Sequence, residues 1–196
     1  MTQADRMPPI PDALQTPEQR AVSQELVSGP RGKLAGPFVP LMRSPELMRR
    51  VQKVGEFLRF ESGLPDAIKE LAILIVARHW SQGYEWSFHL PLALKAGVAR
   101  ETAQAIADGR RPAALTPPEA AAYDFLVQLN ADKAVGDVAY AAALAAFGEA
   151  GVIDLVGFNG YYALLAMALN TARTPCEEAE IPLPSFSHGE KEGPTP

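Results

Sequence analysis

The sequence predicts an all-α fold in which about eight helices pack as a bundle. Apolar residues recur at helical spacing over most of the chain, proline-containing capping signals precede several of these stretches, and no long segment alternates polar and apolar residues as strands do. With 196 residues, 47% of them hydrophobic, the chain can bury one core without being divided. No period of about 20 to 50 residues recurs, so a bundle is favoured over a repeat array. We therefore expect one domain over residues 1–196.

The two ends of the chain differ from its helical middle. The first fifteen residues contain Pro8, Pro9 and Pro11, and proline removes a backbone donor and restricts the residue before it. Residues 1–15 are therefore expected to form an extended lead-in. From about residue 176 to 196 the chain is rich in proline and glycine and has no hydrophobic period, which predicts a flexible tail.

Local signals place the first helices. Thr16 is followed by a proline at the first helical position and by Gln19 at the third, which is a capping box, and the Gly-Pro pair at 29–30 ends the helix. The next segment, 32–40, is predicted to be an apolar loop. A second helix is expected over 45–60, where apolar residues recur with a period near 3.6.

The same reasoning defines the later helices. They are expected at 65–80, 84–95, 100–108, 117–130, 137–149 and 152–171. Gly97 provides the stop for the helix over 84–95, and Thr116 with Glu119 repeats the capping box before the helix over 117–130. The last helix is almost wholly apolar, and its Gly157 and Gly160 permit close contact with another helix.

Composition excludes several classes of function. The net charge is −5 and no dense basic cluster is present, which argues against a nucleic-acid surface. No apolar run approaches the roughly 20 residues of a membrane span, and the first residues do not resemble a signal peptide, so a cytoplasmic protein is expected. Cys176 is the single cysteine and cannot form an internal disulfide.

The residues most suggestive of chemistry lie between 70 and 89. Glu70 directly precedes the apolar run 71–77, and Glu85 lies four residues before His89. On a helix, residues at that spacing share one face, so Glu85 and His89 can share a proton. Pro91 cannot donate a hydrogen bond to the carbonyl of Ser87, which would open the helix beside the histidine. These residues form a candidate proton-transfer site.

Other interpretations of these residues remain open. Glu85 and His89 could be an ordinary surface pair, worth only a few tenths of a kcal/mol. A buried Glu70 must find a partner or keep its proton. Arg78 and Lys69 are the structural candidates for that partner, whereas His89 or the phenol of Tyr84 would be a functional one.

The remaining histidines are weaker candidates. His79 lies at the end of its helix, where it would interact with the helix dipole, and His188 lies in the predicted tail. The second histidine of a zinc-binding His-Glu-x-x-His pattern is absent, so no metal is expected. The aromatic residues near the site, Trp80, Trp86, Phe88, Tyr161 and Tyr162, could line a pocket or fill the core.

At these residues the chain resembles a known family. The segment from Leu71 to Gly97 contains Tyr84-Glu85-Trp86, then His89 and Pro91-Leu92-Ala93. It is similar to the carboxymuconolactone decarboxylase family, whose fold is shared with alkylhydroperoxidase D. Looser similarity extends to the flanks, at 36–38, 44–47 and 157–170.

The chain departs from the peroxidase branch of that family at both thiols. Glu70 matches the glutamate that precedes the Cys-x-x-Cys-x-x-x-His motif, and His89 matches the final histidine. Gln82 and Glu85 stand where the two cysteines would be, and Tyr84 stands where the intervening histidine would be. A disulfide cycle needs an attacking and a resolving sulfur, so peroxide reduction and lipoyl partners are not expected.

The resemblance implies an oligomer and a type of reaction. It implies an all-α bundle that forms trimers or hexamers, with a site near the subunit interface and no cofactor. It also implies a carboxy-lyase like 4-carboxymuconolactone decarboxylase or, more broadly, a lyase or isomerase acting on a small lactone or carbonyl compound. Loss of CO₂ leaves a dienolate, which a positioned acid must protonate.

The site residues are assigned on this basis. His89 would be the general acid/base, Glu85 its proton partner and Glu70 the group that orients it, while Tyr84 would donate to a substrate oxygen. The residues expected to bind the substrate are Trp86 and Phe38 as apolar walls, Arg78 (with Arg43 as a second cation) for a carboxylate, and Gln82.

Two other functions remain open. The chain could be a non-catalytic oligomeric binding or stress-response scaffold, which the loss of both cysteines favours, whereas the retention of Glu70, Glu85 and His89 favours an enzyme. A residual peroxidase that uses Cys176 is the third possibility.

Overall fold

The computed structural model describes residues 4–184, and within that range the chain contains eight α-helices, one 3₁₀ turn (Asp12–Leu14) and no strand. The helices are α1 (Pro17–Ser28), α2 (Phe38–Leu41), α3 (Pro45–Phe60), α4 (Asp66–His79), α5 (Gly83–Ala96), α6 (Arg100–Ala107), α7 (Pro117–Asp132) and α8 (Asp137–Ala172). The prediction of an all-α fold is confirmed.

Both predicted capping boxes form. At the start of α1, the Thr16 hydroxyl accepts a hydrogen bond from the Gln19 N–H, and the Thr16 N–H donates to the Gln19 side chain at 2.9 Å. At the start of α7, the N–H and the hydroxyl of Thr116 both donate to Oε2 of Glu119. Each box satisfies donors that the first helical turn leaves without partners, so these helix starts follow from the sequence.

The functional region is held by α4 and α5, which pack closely together around a short reversal at residues 80–82. Ser81 adopts φ +50° at this turn. Gln82 caps α5, because its side-chain oxygen accepts from the Tyr84 N–H at 2.6 Å. Residues 71–77 are buried throughout, which makes α4 a central helix and leaves Glu70 at the edge of its apolar surface.

The two last helices predicted from the sequence are joined in the structure. Hydrogen bonding continues from Asp137 to Ala172, but Gly148 has φ 67° and ψ 178° inside this run. Residues other than glycine rarely adopt that conformation. The chain therefore bends at Gly148, close to the predicted break, and α8 consists of two helical segments that meet there.

Of the helices within residues 4–184, α8 alone has the length and apolar composition that could cross a membrane. A core helix meets the same criteria. Leu155, Phe158, Leu165 and Leu169 of α8 are buried within the bundle, and α8 packs on α4 and α7. This position accounts for the buried apolar residues of α8, whereas others, such as Ile153, are exposed.

Three segments differ from the simplest expectation. The predicted loop at 32–40 contains the short helix α2, and the extended lead-in contains the 3₁₀ turn. Beyond α8 the chain is extended as far as residue 184 and lies against the bundle, because Ile181 is buried and its carbonyl accepts a hydrogen bond from the Trp86 indole at 2.7 Å. The rest of the predicted tail, including His188, lies outside the described residues.

The bend at Gly148 gives a stability prediction. We expect Gly148→Ala to lower the free energy of unfolding by about 1–3 kcal/mol, because alanine is strained in that conformation. Gly63→Ala is the control, since Gly63 is not in the left-handed region and the added Cβ would meet open space, and it should stabilise the protein by about 0.4–1 kcal/mol. Urea unfolding measures both changes, and equal effects of the two variants would contradict the account of the bend.

Candidate active site

The structure brings Glu70, Glu85 and His89 together. Nδ1 of His89 on α5 lies 2.7 Å from Oε2 of Glu70 on α4. Nε2 of the same imidazole lies 3.5 Å from Oε2 of Glu85, one turn earlier on α5. His89 is 2% exposed, so its two ring nitrogens face two carboxyl groups within the protein.

The packing of α4 on α5 decides which partner Glu70 has. Lys69 is paired with Asp66 at 3.2 Å, and the guanidinium of Arg78 donates to the carbonyl of Ala107 at 2.8 Å. Glu70 instead projects from α4 toward α5 and reaches His89. Of the alternatives that the sequence left open, the structure contains the Glu70–His89 pair.

Burial controls the protonation of Glu85. Its carboxyl group is almost completely buried, and this burial raises its pKa above the ordinary value of 4.5, although the nearby His89 acts in the opposite direction. Its Oε1 atom has no hydrogen-bond partner among the described residues. A carboxyl group in these surroundings tends to keep its proton, which makes Glu85 a proton donor beside the imidazole.

The two carboxyl groups therefore have different relations to the imidazole. An ionised carboxylate can only accept hydrogen bonds, so Glu70 favours the tautomer with the proton on Nδ1. That tautomer leaves the lone pair of Nε2 facing Glu85. The arrangement can move a proton between Glu85 and Nε2 while Glu70 stabilises the positive charge on the ring.

A pocket of about 220 Å³ opens beside His89 and Glu85. Aromatic side chains form much of its wall, including Phe38, Phe60, Tyr84, Phe88 and Tyr162. The ring of Tyr162 packs edge-on against the imidazole, with 5.2 Å between ring centres. The pocket therefore offers a small, largely apolar space with the proton-transfer groups on one side.

Three cations also line this pocket: Arg31, Lys33 and Arg59. The Arg31 guanidinium lies 4.7 Å from the centre of the Phe38 ring and donates to the Tyr161 hydroxyl at 3.1 Å. The Arg59 guanidinium lies 5.3 Å from the Phe60 ring, and no hydrogen bond from it is found within residues 4–184. An anionic group in the pocket would meet positive charge that is free to bind it.

Two glycines make room for these side chains. A Cβ atom at Gly55 would lie 2.0 Å from the Tyr161 hydroxyl and 2.4 Å from the Arg31 guanidinium. A Cβ atom at Gly36, which has φ +57°, would lie 2.5 Å from the Tyr84 ring. Side chains at these two positions would displace Arg31 or Tyr84, so the glycines shape the pocket.

Tyrosines near the site keep their protons. Burial raises the pKa of Tyr84, which lines the pocket, and raises the pKa of Tyr161 to about 12. The Tyr84 phenol is therefore a hydrogen-bond donor at neutral pH, as its proposed role requires. Phe38 also lines the pocket, where the sequence placed it.

Four residues expected at the pocket lie elsewhere. Trp86 is fully buried and its indole donates to Ile181, so it is a core residue and not a pocket wall. Arg78 is directed to the carbonyl of Ala107, and Arg43 donates to the carbonyls of Val39 and Pro8. Gln82 caps α5 and donates to the Asn170 side chain at 2.8 Å.

The cations of the pocket were missed because they are distant in sequence from the recognisable motif. Arg31 lies in the coil after α1 and Arg59 in the last turn of α3, and neither position has a local signal that separates it from other surface arginines. Among residues 4–184, no group of three or more His, Cys, Asp and Glu side chains is arranged to hold a metal ion.

Comparison with known proteins agrees with the geometry. The model of the carboxymuconolactone decarboxylase family matches residues 45–128, a segment that contains α4, α5 and all three residues of the proton-transfer site. Residues 45–128 are therefore similar to the carboxymuconolactone decarboxylase family. A search of curated proteins finds no match to the chain.

Several solved structures share the fold of this chain. A peroxidase-related protein from Ralstonia eutropha JMP134, described as an alkylhydroperoxidase AhpD core, has a TM-score of 0.72 at 17% identity, over 89% of this chain and 93% of that chain. The debrominase Bmp8, as a cysteine-to-alanine variant with 2,3,4-tribromopyrrole, has a TM-score of 0.68 at 13% identity. The match covers 90% of this chain and 94% of that chain. A protein of unknown function from Agrobacterium tumefaciens has a TM-score of 0.62 at 15% identity. The match covers 70% of this chain and 94% of that chain.

The raised pKa of Glu85 predicts a pH-dependent stability. The folded protein binds this proton more tightly than the unfolded chain, so the stabilising contribution is complete below pH 4.5 and is lost as the pH rises through the raised pKa. The amide in Glu85→Gln does not titrate, so the variant lacks this pH-dependent contribution to stability. We therefore expect its free energy of unfolding, relative to wild type, to be higher at pH 8 than at pH 5.

Urea unfolding at the two pH values measures this difference. Glu61→Gln, at an exposed position, is the control and should change the stability equally at both. If the free energy of unfolding of Glu85→Gln relative to wild type were the same at pH 5 and pH 8, the buried carboxyl group would not be held protonated.

Proposed function

We propose that the protein is a cofactor-independent lyase or isomerase that acts on a small lactone or related carbonyl compound by proton transfer. The observation that carries the proposal is the His89 imidazole, held between Glu70 and Glu85 at the wall of a pocket. Buried acid/base groups in a small pocket are typical of active sites, whereas an ion pair that only stabilises the fold needs no cavity beside it.

The chemistry of such a site is proton transfer to carbon. Loss of CO₂ from a carboxylated lactone leaves a dienolate, and the carbon must then receive a proton. Glu85 holds one, and Nε2 of His89 can accept it and pass it to the substrate while Glu70 stabilises the imidazolium. Glu85 is left ionised and regains its proton from solvent after the product leaves.

The other pocket residues would bind the substrate. Arg31 and Arg59 would face a carboxylate or the negative charge that develops on a lactone oxygen. The Tyr84 phenol would donate a hydrogen bond to a substrate oxygen, and Phe38 would pack on the apolar part. Decarboxylation of 4-carboxymuconolactone is the most specific form of this proposal, since its substrate carries both a carboxylate and a lactone.

The activity is tested by replacing the proton-transfer residues. With 4-carboxymuconolactone and simple lactones as substrates, we expect His89→Gln to lower kcat/KM by about 10²–10⁴-fold, because the acid/base group is lost. Glu70→Gln should lower it less, since the amide oxygen can still accept from Nδ1. Loss of the substrate or formation of the product is followed by ultraviolet absorbance.

Glu61→Gln is the control for that assay and should retain wild-type kinetics, because its side chain is exposed and does not line the pocket. Equal activity of His89→Gln and wild type would contradict the proposal. No turnover of any lactone or carbonyl compound by the wild-type protein would favour the alternative, an oligomeric scaffold with the same fold.

A residual peroxidase has one observation in its favour. The exposed Cys176 lies beside the start of α5, since a Cβ atom at Gly83 would be 2.8 Å from its sulfur. A single thiol lacks the resolving sulfur of a disulfide cycle. Unchanged peroxide consumption in Cys176→Ser would eliminate this candidate.

We also propose that the chain forms a homo-oligomer, a trimer or hexamer by resemblance to the family. Support comes from α8, where Ile153 is 67% exposed and Val156 and Met167 are more than 40% exposed. These residues lie on one side of the helix, because their spacings of 3 and 14 are close to whole turns. Exposed apolar residues that share one face are typical of an interface between copies.

Light scattering after size exclusion tests the assembly. We expect Ile153→Glu to reduce the mass to that of a smaller species, because burying an unpaired carboxylate in the interface is unfavourable. Val138→Glu, at an even more exposed position near the start of α8, is the matched control and should leave the mass unchanged. A monomeric wild-type protein would contradict the proposed assembly.

A further inference from the structure

The two ends of the proton-transfer site face different cavities. Glu85 and His89 line the pocket of about 220 Å³, whereas Glu70 lines a second cleft of about 370 Å³. The polar residues of this second cleft are Arg59, Asp66, Lys69, Glu70 and Lys95. The proposed mechanism uses the first cavity and leaves the second without a role.

Solvent reaches the site most readily through Glu70. The Glu70 side chain is 14% exposed, whereas the side chains of His89 and Glu85 are 3% and 4% exposed. The most exposed of the three side chains is therefore Glu70, which lines the second cleft. Its hydrogen bond to Nδ1 of His89 connects that cleft with the imidazole.

A partition separates the two cavities. Arg59 and Phe60 line both of them, so the end of α3 forms a wall between the pocket and the cleft. A compound bound beside Glu85 would fill the first cavity and leave the Glu70 side open to water.

We propose that the second cleft is a proton port, through which Glu70 exchanges protons between Nδ1 of His89 and solvent while the first pocket is occupied. This inference rests on the proposed function. When Nε2 takes a proton from a bound compound, Nδ1 gives its proton to Oε2 of Glu70, and Glu70 releases it to water in the cleft. The reverse sequence returns a proton to the compound and restores the starting tautomer. Only N–H and O–H bonds form and break, so no oxidant or further reactant is needed.

The charges of the cleft suit this role. Lys69 of α4, Lys95 of α5 and Arg59 of α3 all line the cleft. Asp66 is the opposing charge and is paired with Lys69. Cations near Glu70 attract anionic buffers, which carry protons to and from it.

The test measures proton exchange without any substrate. In the full chain labelled with ¹⁵N-histidine, exchange of the His89 Nδ1 proton with water is followed by NMR saturation transfer. The chain has only three histidines, and the signal lost in His89→Gln identifies the one of interest. Ala96→Trp fills the second cleft and Ala35→Trp fills the first pocket, since each alanine lines only that cavity.

We expect Ala96→Trp to slow the exchange about fivefold or more and Ala35→Trp to leave it within about twofold, because access to the exchanging group limits the rate. Glu70→Gln should also slow it, because the amide cannot take up the proton. If Ala35→Trp alone slowed the exchange of the His89 Nδ1 proton, or if both tryptophan variants slowed it equally, the proposed proton port would be wrong.

A second pair of variants removes the dependence on bulky substitutions. Lys95 and Lys33 are both exposed lysines, one at the second cleft and one at the first pocket. With inorganic phosphate as the proton carrier, Lys95→Glu should reduce the phosphate-catalysed exchange about threefold and Lys33→Glu should not, since the charge near Glu70 attracts the anion. The opposite order would overturn the port.

These outcomes are separate from the test of the proposed function. If no lactone or carbonyl compound were turned over while exchange still depended on Ala96 and Lys95, the proposed activity would fail and the port would remain. If His89 were essential for turnover while exchange depended on Ala35 and Lys33, only the port would fail.

Discussion

The hydrogen bond between Glu70 and His89 is the interaction on which the site depends. It joins α4 to α5, favours the tautomer with the proton on Nδ1, and leaves the other nitrogen facing Glu85 and the pocket. A carboxylate at the edge of an apolar helix needs a partner, and the neighbouring helix provides one that can itself titrate. The same contact therefore joins the helix pair and brings together two groups that can exchange a proton.

The surroundings give the two carboxyl groups different tasks. Glu85 is buried beside His89, and its pKa is raised mainly because burial disfavours its charged form. Glu70 keeps contact with solvent through a separate cleft. Two carboxyl groups beside one imidazole would be redundant if their environments were the same. In these different environments, Glu85 is suited to donate a proton and Glu70 to orient the ring.

The sequence predicted those features that depend on local patterns. Both capping boxes, the bounds of α3 to α5 and the Glu85–His89 spacing follow from residues within a few positions of one another. The pocket does not, because Arg31 and Tyr161 come from distant segments and meet only where Gly55 leaves space. The apolar pattern could not tell whether Trp86 lines a pocket or the core, and its burial depends on Ile181, 95 positions later.

Gln82 shows how a departure from the peroxidase motif changes the use of a position. By resemblance, a reactive thiol would stand there at the start of α5. In this chain the amide instead caps the helix, binding the Tyr84 N–H through its oxygen and Asn170 of α8 through its nitrogen. A capping side chain with both polar atoms engaged is a poor candidate for substrate binding, but it fixes the first turn of α5, from which Tyr84 and Glu85 project. The loss of the thiol and the retention of the proton-transfer residues are therefore compatible. Gln82 has a structural role at the helix start, while the residues of the proposed acid/base chemistry lie further along the same helix.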